Sequence, residues 1–386
     1  MHIALLTDGI QPYVVGGMQR HSFYLAKYLA AAGHQVDLYH TNQSELDISR
    51  LEVFTEEEKT NIQSFVIEFP KFGTSPGHYI RESFEYSLRI WNKFKSQRRP
   101  DFIYVKGFSG WALLNEKKKG EKLPPIGLNF HGYEMFQPAA TIMEWMKYAL
   151  LLRSPVKFCV AQADFLFSYG GKITSIIEGL GVAGKRIIEI PTGIGTEWIN
   201  DSSLAVHKTR KFVFVGRNER RKGISELNDS ISNLTVTQSE NSEFHFIGPI
   251  ADKKKLKREN VIYHGEQKDS EKIRLLLRSC DVLVCPSHSE GMPNVILEGM
   301  ASACAIIATD VGAVSLLVDD SNGYLIKSGD RGELLAALVK AIEIPDEKLL
   351  ILKRTSVSKV KRFLWSDVVI QTIEKINSIV SSTSNE

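Results

Sequence analysis

The sequence predicts an α/β protein built from two doubly wound, Rossmann-like parallel-sheet domains in series. Short apolar runs alternate with longer helix-like segments from one end of the chain to the other, which is the pattern of repeated βαβ units. The alternation restarts after a polar stretch near the middle, and 386 residues are enough for two domains. We therefore expect ligand sites at the carboxyl ends of the strands, with a cleft between the domains as the natural place for a substrate.

The strands are predicted from apolar runs bounded by turn-forming residues. In the first half they are expected at 3–6, 35–39, 65–69, 102–105, 126–130, 165–168 and 186–190. In the second half they are expected at 211–215, 243–247, 261–263, 281–285, 305–308 and 324–326. The polar stretch from Asn200 to Lys208 is the predicted linker, and the chain closes on an amphipathic segment at 365–380.

The composition is that of an ordinary globular protein, with 43% hydrophobic and 24% charged residues. A net charge of +3 is too small to indicate a nucleic-acid partner, so none is expected. Basic clusters at 93–99, 117–122 and 253–258 indicate either solvated surfaces or attraction to an anionic membrane. No window of about 18 apolar residues is present, so no membrane span is expected.

The cysteines and the N-terminus predict a cytoplasmic location. The four cysteines form no CxxC pair, which favours buried thiols in a reducing compartment. The chain enters a strand-like run at Ile3 without the build of a signal peptide. We therefore expect a cytoplasmic protein, with peripheral contact to the inner face of the membrane as a further hypothesis.

A glycine pair lies in the first long loop. After the first predicted strand the chain reads T-D-G-I-Q-P-Y-V-V-G-G, and a helix is predicted over 22–32, ended by Gly33. Gly16 and Gly17 would let the backbone approach a ligand closely, although a plain flexible loop is the alternative. The loop lacks GxGxxG, which disfavours a nicotinamide-dependent oxidoreductase.

His131 follows the predicted strand 126–130 and precedes Gly132. A histidine at the carboxyl end of a strand is placed to bind a sugar hydroxyl or a phosphate, or to exchange a proton near neutral pH. The alternative is a histidine whose hydrogen bonds are satisfied inside the fold.

Two cations come directly after the first strand of the second half, in the sequence G-R-N-E-R-R-K-G. Arg217 and Lys222 precede a helix, and two cations at a helix start are a common way to hold a diphosphate. They would also stabilise a diphosphate as it leaves. A solvated basic loop is the alternative reading.

The most informative stretch reads S-H-S-E-G-M-P-N-V-I-L-E-G-M-A, from Ser287 to Ala301. It follows a buried strand, and a helix is predicted to begin near Pro293 or Asn294. The amides and dipole of that first turn favour a phosphate. Glu290 before the helix and Glu298 about one turn inside it suit a ligand with hydroxyls, such as a nucleotide sugar. The alternative is an ordinary strand–loop–helix unit.

Together, Gly16-Gly17, His131, Gly216-Arg217, Lys222, and Glu290 with seven residues before Glu298 resemble the group 1 (family four) glycosyltransferases of GT-B fold. The resemblance covers nearly the whole chain. It implies metal-independent, retaining transfer of a sugar from a UDP- or GDP-sugar to a glycan, lipid-linked or small-molecule acceptor, in polysaccharide or glycoconjugate biosynthesis. No cofactor or metal is expected, and the sequence contains no Asp-x-Asp.

The resemblance also implies domains and roles. Residues 1–199 with 366–386 would form the acceptor-side domain, because the last helix of the family crosses back, and 200–209 would link it to the donor-binding domain, 210–365.

Arg217 and Lys222 would hold the diphosphate, Glu298 the ribose and Glu290 the transferred sugar. The remaining implied contacts are His131 on the sugar, Gly16 and Gly17 over the phosphates and acceptor, and Gly291, Met292, Pro293, Asn294 and Val295 on sugar and phosphate oxygens. Catalysis would rest on His131, Arg217, Lys222 and Glu290. A departure from the family pattern is Gly312-Ala313-Val314-Ser315-Leu316, where Gly-Gly-x-Pro-Glu is usual.

Other functions on this architecture remain open from the sequence. A nucleotide-sugar epimerase would turn over the donor without an acceptor. A phosphorylase would need a lysine placed for pyridoxal phosphate, and the sequence offers no such context. A non-catalytic scaffold subunit of a polysaccharide assembly complex would keep its function when Glu290 is changed to alanine.

Overall fold

A computed structural model describes residues 1–44, 46–75, 77–200, 205–267 and 269–383. These residues form two compact units. The first contains Met1–Phe136, Met146–Thr192 and the chain from Trp365 onward, and the second contains Gln137–Trp145 and Gly193–Leu364. Part of the predicted linker, residues 201–204, lies outside the described residues.

Two segments belong to a different unit from the domain predicted for them. The sequence places 137–145 and 193–199 in the N-terminal domain, whereas contacts place both in the second unit. The Gln137 side-chain amide donates to the carbonyl of Glu290 at 2.6 Å, and the Ile194 N–H donates to the carbonyl of Phe363 at 2.8 Å. Such contacts between distant residues leave no local signature in the sequence.

The first unit is built on a parallel sheet. Within the described residues it has seven strands in the order β3-β2-β1-β4-β5-β6-β7, so the strand order reverses between β1 and β4. The strands are β1 His2–Leu6, β2 Gln35–His40, β3 Ile62–Val66, β4 Phe102–Lys106, β5 Ile126–Asn129, β6 Phe165–Ser168 and β7 Ile187–Glu189. Ligands of such sheets bind at the carboxyl ends next to the point of reversal.

The third strand begins three residues earlier than the prediction of 65–69. It starts directly after a short helix whose N-cap, Thr55, forms a capping box with Glu58. Strand pairing begins at once, because Asn61 accepts a hydrogen bond from the Val36 N–H and Ile62 pairs with Val36. Ile62 and Phe65 are the buried members of the strand. The pairing partner therefore decided the register, and the apolar run that continues to Phe69 misled the prediction.

Helices surround both sheets. They are α1 Gly17–Ala31, α2 Glu56–Thr60, α3 His78–Phe94, α4 Trp111–Lys118, α5 Ile142–Lys147, α6 Arg153–Gln162, α7 Lys172–Gly179, α8 Ile224–Ser232, α9 Val236–Glu240, α10 Ser270–Arg278, α11 Asn294–Ala301, α12 Arg331–Glu343, α13 Asp346–Val360 and α14 Trp365–Thr383. A π-helical turn, Tyr148–Leu152, joins α5 to α6.

Helix α1 begins earlier than predicted, at Gly17 and not at Ser22. The Arg20 N–H already donates to the carbonyl of Gly16 at 3.0 Å, which starts the helical ladder. Ser22 lies inside the helix, where its hydroxyl donates to the Met18 carbonyl at 3.0 Å. A buried serine inside a helix can bond back to the preceding turn in this way, so Ser22 does not mark the helix start.

The last helix packs on the first unit, and it begins at Trp365, one residue before the segment 366–386 that the resemblance assigns to the acceptor-side domain. Trp365 is 1% exposed and its ring stacks on that of Tyr24 in α1, with centroids 5.2 Å apart. Val368, Val369 and Ile376 of α14 belong to the same hydrophobic core as Leu25 and Leu29 of α1. The C-terminal segment is therefore part of the first unit.

The second unit is also a parallel sheet with helices around it. Within the described residues it has six strands in the order β10-β9-β8-β11-β12-β13, which reverses between β8 and β11. The strands are β8 Arg210–Val215, β9 Ser242–Ile247, β10 Val261–Gly265, β11 Val282–Cys285, β12 Ala305–Thr309 and β13 Gly323–Ile326. Each lies within two residues of its prediction, so the predicted fold class is confirmed.

The cysteines agree with the prediction of buried thiols. All four cysteines are buried free thiols, and burial raises the pKa of Cys285 to about 11. No helix among the described residues is both long and apolar enough to cross a bilayer.

Candidate functional site

The charged residues of the second unit that are predicted to bind phosphate and sugar lie on two loops, at the point where the strand order reverses. One loop follows β8 and carries Arg217 to Lys222, and the other follows β11 and carries Glu290. The strands β8 and β11 pair directly, with Phe212 opposite Val282. Their following loops therefore meet at the edge where this class of sheet binds ligands.

Gly223 allows the first loop to pack against the second. Its φ is +72°, a left-handed conformation that favours glycine. A Cβ at this position would lie 1.9 Å from the backbone carbonyl oxygen of Pro286. The His288 N–H then donates to the carbonyl of Arg221 at 2.6 Å, which joins the two loops directly.

The packing of the loops brings Lys222 and Glu290 into contact. The Lys222 Nζ lies 2.6 Å from Glu290 Oε1, and the side chains are only 16% and 9% exposed. Ser287 donates its hydroxyl to the same Oε1 at 2.8 Å. The sequence predicted both charged residues as site residues but not this contact between them, because 68 positions separate them.

Burial and neighbouring cations oppose each other at Glu290. Burial by itself would raise the pKa of this carboxyl. The positive charges of Lys222 and Arg221, with hydrogen bonds from Lys222 and Ser287, outweigh burial and hold the pKa below its usual value. Glu290 is therefore ionised at neutral pH and fixed in one orientation.

Arg217 occupies a different environment from Lys222. Its side chain is 68% exposed and pairs with Glu219, Nε to Oε1, at 2.9 Å. Glu219 also binds the Nε of Arg221 at 2.8 Å, and Arg221 Nη1 lies 3.7 Å from Glu290 Oε2. Arg221 is thus a cation of this site that the sequence analysis missed, although its position next to Lys222 in the run R-R-K could have signalled it.

The last residue of β12 and the loop that follows it support the second loop. The Ala313 N–H donates to the Gly291 carbonyl at 2.8 Å, and the Thr309 hydroxyl donates to the Ser287 carbonyl at 2.5 Å. Gly312 has a φ of +55°, and a Cβ there would lie 2.2 Å from the carbonyl oxygen of Glu290. The segment that departs from the usual family pattern therefore packs directly against the Glu290 loop.

Helix α11 begins where the sequence predicted it. Pro293 is the N-cap, with an extended backbone, and Asn294 is the first helical residue. Gly291 and Met292 precede the cap and Val295 follows in the first turn. Glu298 lies one turn further on and is 5% exposed. The predicted group from Gly291 to Val295 thus surrounds a helix N-terminus, where partial positive charge favours an anion.

The glycine pair belongs to the first unit. Gly17 begins α1 and Gly16 is its N-cap, with a φ of 167°, which is extended backbone open to any residue. A Cβ at Gly16 would lie 2.1 Å from Gln19 Oε1, and Gln19 donates its amide to Asp8 Oδ1 at 2.8 Å. Burial raises the pKa of Asp8 to about 6, in spite of that hydrogen bond. The absence of a Cβ at Gly16 thus leaves room for the Gln19 side chain, which binds the Asp8 carboxyl near the end of β1.

The backbone of His131 is strained, and hydrogen bonds to neighbouring residues orient its imidazole ring. Its φ is +62°, which is costly for a residue other than glycine, and its N–H donates to Asn129 Oδ1 at 2.7 Å. Its Nδ1 forms a short hydrogen bond with the Tyr169 hydroxyl. Its buried Nε2 has no hydrogen-bond partner among the described residues. Burial, then the charge of Lys106, lowers its pKa well below the usual value, so a neutral imidazole offers one nitrogen to a ligand.

A buried lysine lies beside this histidine and was not singled out from the sequence. Lys106, the last residue of β4, is 0% exposed, and its Nζ lies 2.7 Å from His21 Nδ1. The His21 ring makes an edge contact with that of His131, with centroids 5.2 Å apart. Burial lowers the pKa of Lys106 well below its usual value. The only signal in the sequence was a lysine at the end of an apolar strand.

The second-unit arrangement suits a ligand that carries both a diphosphate and hydroxyls. Arg221 and Lys222 supply donors and positive charge, α11 supplies a helix start, and Glu290 and Glu298 supply acceptors. Among the described residues, no group of three His, Cys, Asp or Glu side chains is arranged to hold a metal ion.

Comparisons with known proteins identify the family of this chain. The family model "Glycosyl transferases group 1" matches residues 209–343, and "Glycosyltransferase Family 4" matches residues 15–198. The putative teichuronic acid biosynthesis glycosyltransferase TuaC of Bacillus subtilis is 36% identical over 131 residues, which are 34% of this chain and 32% of that protein.

Solved structures share the fold at low sequence identity. Sucrose-phosphate synthase from Thermosynechococcus elongatus superposes with a TM-score of 0.77 at 16% identity, covering 99% of both chains. The Anabaena protein HepE, solved in complex with UDP, has a TM-score of 0.67 at 15% identity and covers 98% of this chain and 100% of its own. The two family matches cover separate, successive parts of the chain. The match over 209–343 includes strands β8 to β13 of the second unit, and the match over 15–198 includes strands β2 to β7 of the first. The chain therefore belongs to the group 1 glycosyltransferases of family 4, with the GT-B fold.

Proposed function

We propose that this protein transfers a sugar from a nucleotide-diphosphate sugar, UDP- or GDP-linked, to the hydroxyl of a glycan, lipid-linked or small-molecule acceptor. Membership of the glycosyltransferase family supports the reaction class. The name of the B. subtilis relative supports a role in cell-surface polysaccharide biosynthesis, and the UDP complex of HepE supports a nucleoside diphosphate as ligand.

The observation that carries the proposal is the buried contact between Lys222 and Glu290 at the N-terminus of α11. A lysine ammonium has three N–H donors, so Lys222 can keep Glu290 in place with one and bind a phosphate oxygen with another. Glu290, held ionised, can then accept hydrogen bonds from hydroxyls of the transferred sugar. This arrangement supports sugar and diphosphate binding at one site.

Positively charged side chains would stabilise the leaving diphosphate, as a divalent cation does in other transferases. As the bond from the anomeric carbon to the phosphate oxygen breaks, negative charge collects on the diphosphate. Lys222 and Arg217 would stabilise that charge, with Arg221 close by. We therefore propose a reaction that needs no bound metal.

We further propose that the anomeric configuration of the sugar is retained. In this scheme the acceptor oxygen bonds to the anomeric carbon on the face that the diphosphate leaves, and the acceptor proton passes to the departing phosphate oxygen. His131, whose Nε2 is available, would bind a sugar hydroxyl. The new linkage should have the configuration of the donor when its anomeric coupling is measured by NMR. An inverted product would contradict this mechanism.

Donor binding is the direct test of the site. In calorimetry with UDP, GDP, ADP and CMP and their sugar conjugates, with EDTA present, we expect one diphosphate to bind tightly. Glu298→Ala should weaken that binding by ~1–3 kcal/mol, the cost of losing hydrogen bonds to a charged group. Glu333→Ala, which removes another glutamate of the second unit near a helix start, is the control and should leave affinity unchanged.

The outcomes separate the alternatives. No binding to any nucleotide would favour the scaffold function and remove the basis for the site. Binding that requires added metal would contradict the metal-independent mechanism alone. Conversion of the donor to its epimer without an acceptor would favour an epimerase.

A further inference from the structure

The loop between Gly216 and Gly223 carries one carboxylate, that of Glu219, among four cationic side chains. This carboxylate bridges two of the cations. Its Oε1 lies 2.9 Å from Arg217 Nε, and its Oε2 lies 2.8 Å from Arg221 Nε. Both oxygens of Glu219 therefore bind guanidinium groups in the loop that is proposed to bind the diphosphate.

The side chain of Glu219 does not hold the local turn. Glu219 is the N-cap of a 3₁₀ turn, Arg220–Lys222, and its side chain forms no cap hydrogen bond. The turn is closed by the backbone, since the Lys222 N–H donates to the Glu219 carbonyl at 3.0 Å. The carboxylate can therefore exchange its partners while the backbone of the turn keeps its conformation.

Two other carboxylates pair with cations of this loop, and both are buried. The Glu226 side chain is 5% exposed and accepts hydrogen bonds from Arg220 Nη1 at 2.7 Å and Nη2 at 2.5 Å. The Glu290 side chain is 9% exposed and lies 2.6 Å from the Lys222 Nζ. Separating either carboxylate from its partner would leave a buried charge unpaired, which is costly.

Glu219 is held more loosely than these two carboxylates. Its side chain is 32% exposed, and the side chains of its partners Arg217 and Arg221 are 68% and 21% exposed. Exposed ion pairs contribute little to stability, because water solvates the separated charges well. Of the three carboxylates, Glu219 is therefore the one that a diphosphate would displace most readily.

A diphosphate would use the same donors of Arg217 and Arg221 that bind Glu219. A guanidinium group binds carboxylate and phosphate oxygens through the same N–H groups. Glu219 takes the Nε donor of each arginine, so a phosphate oxygen that reaches these donors replaces its carboxylate. A carboxylate that stays nearby would also repel the diphosphate, because like charges repel at short range. Both effects oppose binding of the diphosphate.

We propose that Glu219 competes with the diphosphate of the nucleotide sugar for Arg217 and Arg221, and thereby sets the affinity of the donor site. The carboxylate is exchanged for phosphate oxygens when the donor binds, and it returns to the two arginines when the nucleoside diphosphate leaves. Glu219 therefore lowers the affinity for donor and product alike and favours product release. The proposal rests on the proposed function, because a diphosphate is the ligand for which Glu219 competes.

Calorimetry of the full chain with UDP, GDP and inorganic pyrophosphate tests this competition. Glu219→Gln keeps the length of the side chain and removes its charge. We expect the variant to bind the diphosphate about fivefold more tightly than the unchanged protein, since two exposed ion pairs no longer have to be exchanged. Raising the salt concentration from about 0.05 M to about 0.5 M should reduce this gain, because exposed charges are screened.

Glu243→Gln is the matched control in the same unit. The Glu243 side chain is 29% exposed, close to the 32% of Glu219, and it also bridges two partners, Lys211 at 3.4 Å and His245 at 2.6 Å. Glu243 lies near the amino end of β9, whereas the loop of Glu219 follows the carboxyl end of the parallel strand β8. Its substitution should leave the affinity for each ligand unchanged.

Three results would overturn the proposal. Equal or weaker binding by Glu219→Gln, when the unchanged protein binds a diphosphate, would mean that Glu219 orients the arginines for the ligand, and the proposed function would stand. An equal gain in Glu243→Gln would mean that any loss of negative charge tightens binding. Absence of binding by both the unchanged protein and Glu219→Gln would overturn the proposal and the proposed function together.

Discussion

Replacing Lys222 with alanine is expected to lower turnover by roughly 10² or more, the usual effect of removing a positioned group that stabilises developing negative charge. The change removes the ammonium 2.6 Å from Glu290 and so removes both a diphosphate contact and the main partner of that carboxylate. Affinity for the donor should fall less than turnover, since the leaving charge develops only as the bond breaks. The rate of nucleoside diphosphate release, with acceptor or by slow donor hydrolysis, gives the measurement.

A control variant separates this effect from the loss of any ion pair in the same unit. Lys359 pairs with Asp319 at 2.7 Å and is 19% exposed, close to the 16% of Lys222. Lys359→Ala should therefore leave turnover unchanged. Full activity in Lys222→Ala, with a cooperative thermal transition like that of the unchanged protein, would remove Lys222 from the mechanism and leave its pairing with Glu290 a structural feature.

The second large effect is expected from Gly312→Ala. A Cβ at Gly312 would lie 2.2 Å from the carbonyl oxygen of Glu290 and 2.4 Å from that of Gly291, and backbone atoms cannot move aside as a side-chain end can. The φ of +55° adds strain for any residue with a Cβ. We expect a loss of ~3–5 kcal/mol in the free energy of unfolding of the second unit, on the order of 10 °C in Tm.

Gly265→Ala provides the matched control for that variant. Gly265 also has a left-handed φ, +68°, but nothing lies within 4 Å of the position of a Cβ. Its substitution should therefore cost only the backbone strain, about 1–2 kcal/mol. Donor affinity should fall in Gly312→Ala, whose clash displaces the Glu290 loop, and persist in Gly265→Ala. Equal losses of stability in the two variants would mean that the loop at Gly312 moves to accommodate the Cβ with no loss in the free energy of unfolding.

The strands and the loops that carry the second-unit site could be predicted from the sequence for a local reason. Apolar runs of strand length, bounded by turn residues, locate each buried strand, and parallel sheets place the following loops at one edge. The helix start at Pro293 was also visible, because a proline is compatible with that position and not with the helix interior. Lys222 and Glu290 could therefore be singled out, each from its own loop.

The partners of these residues could not be predicted in the same way. Arg221 reaches Glu290, and Gln137 binds the Glu290 carbonyl, across more than 60 positions of sequence. No spacing rule of helices or strands links positions so far apart. The buried contact of Lys106 with His21 is hidden for the same reason, since the sequence shows only a lysine at the end of a strand.

What the sequence determined by itself is therefore the fold class, the positions of most strands along the chain and the loops in which the charged residues lie, because these follow from local periodicity and turn chemistry. Tertiary structure alone decided the register of β3, the start of α1 and the assignment of Gln137–Trp145 to the second unit. It also decided that Gly312 must be a glycine, since the atoms that exclude a Cβ there belong to the loop of Glu290. Each of these features depends on close contact between segments distant in sequence, which only the packed chain brings together.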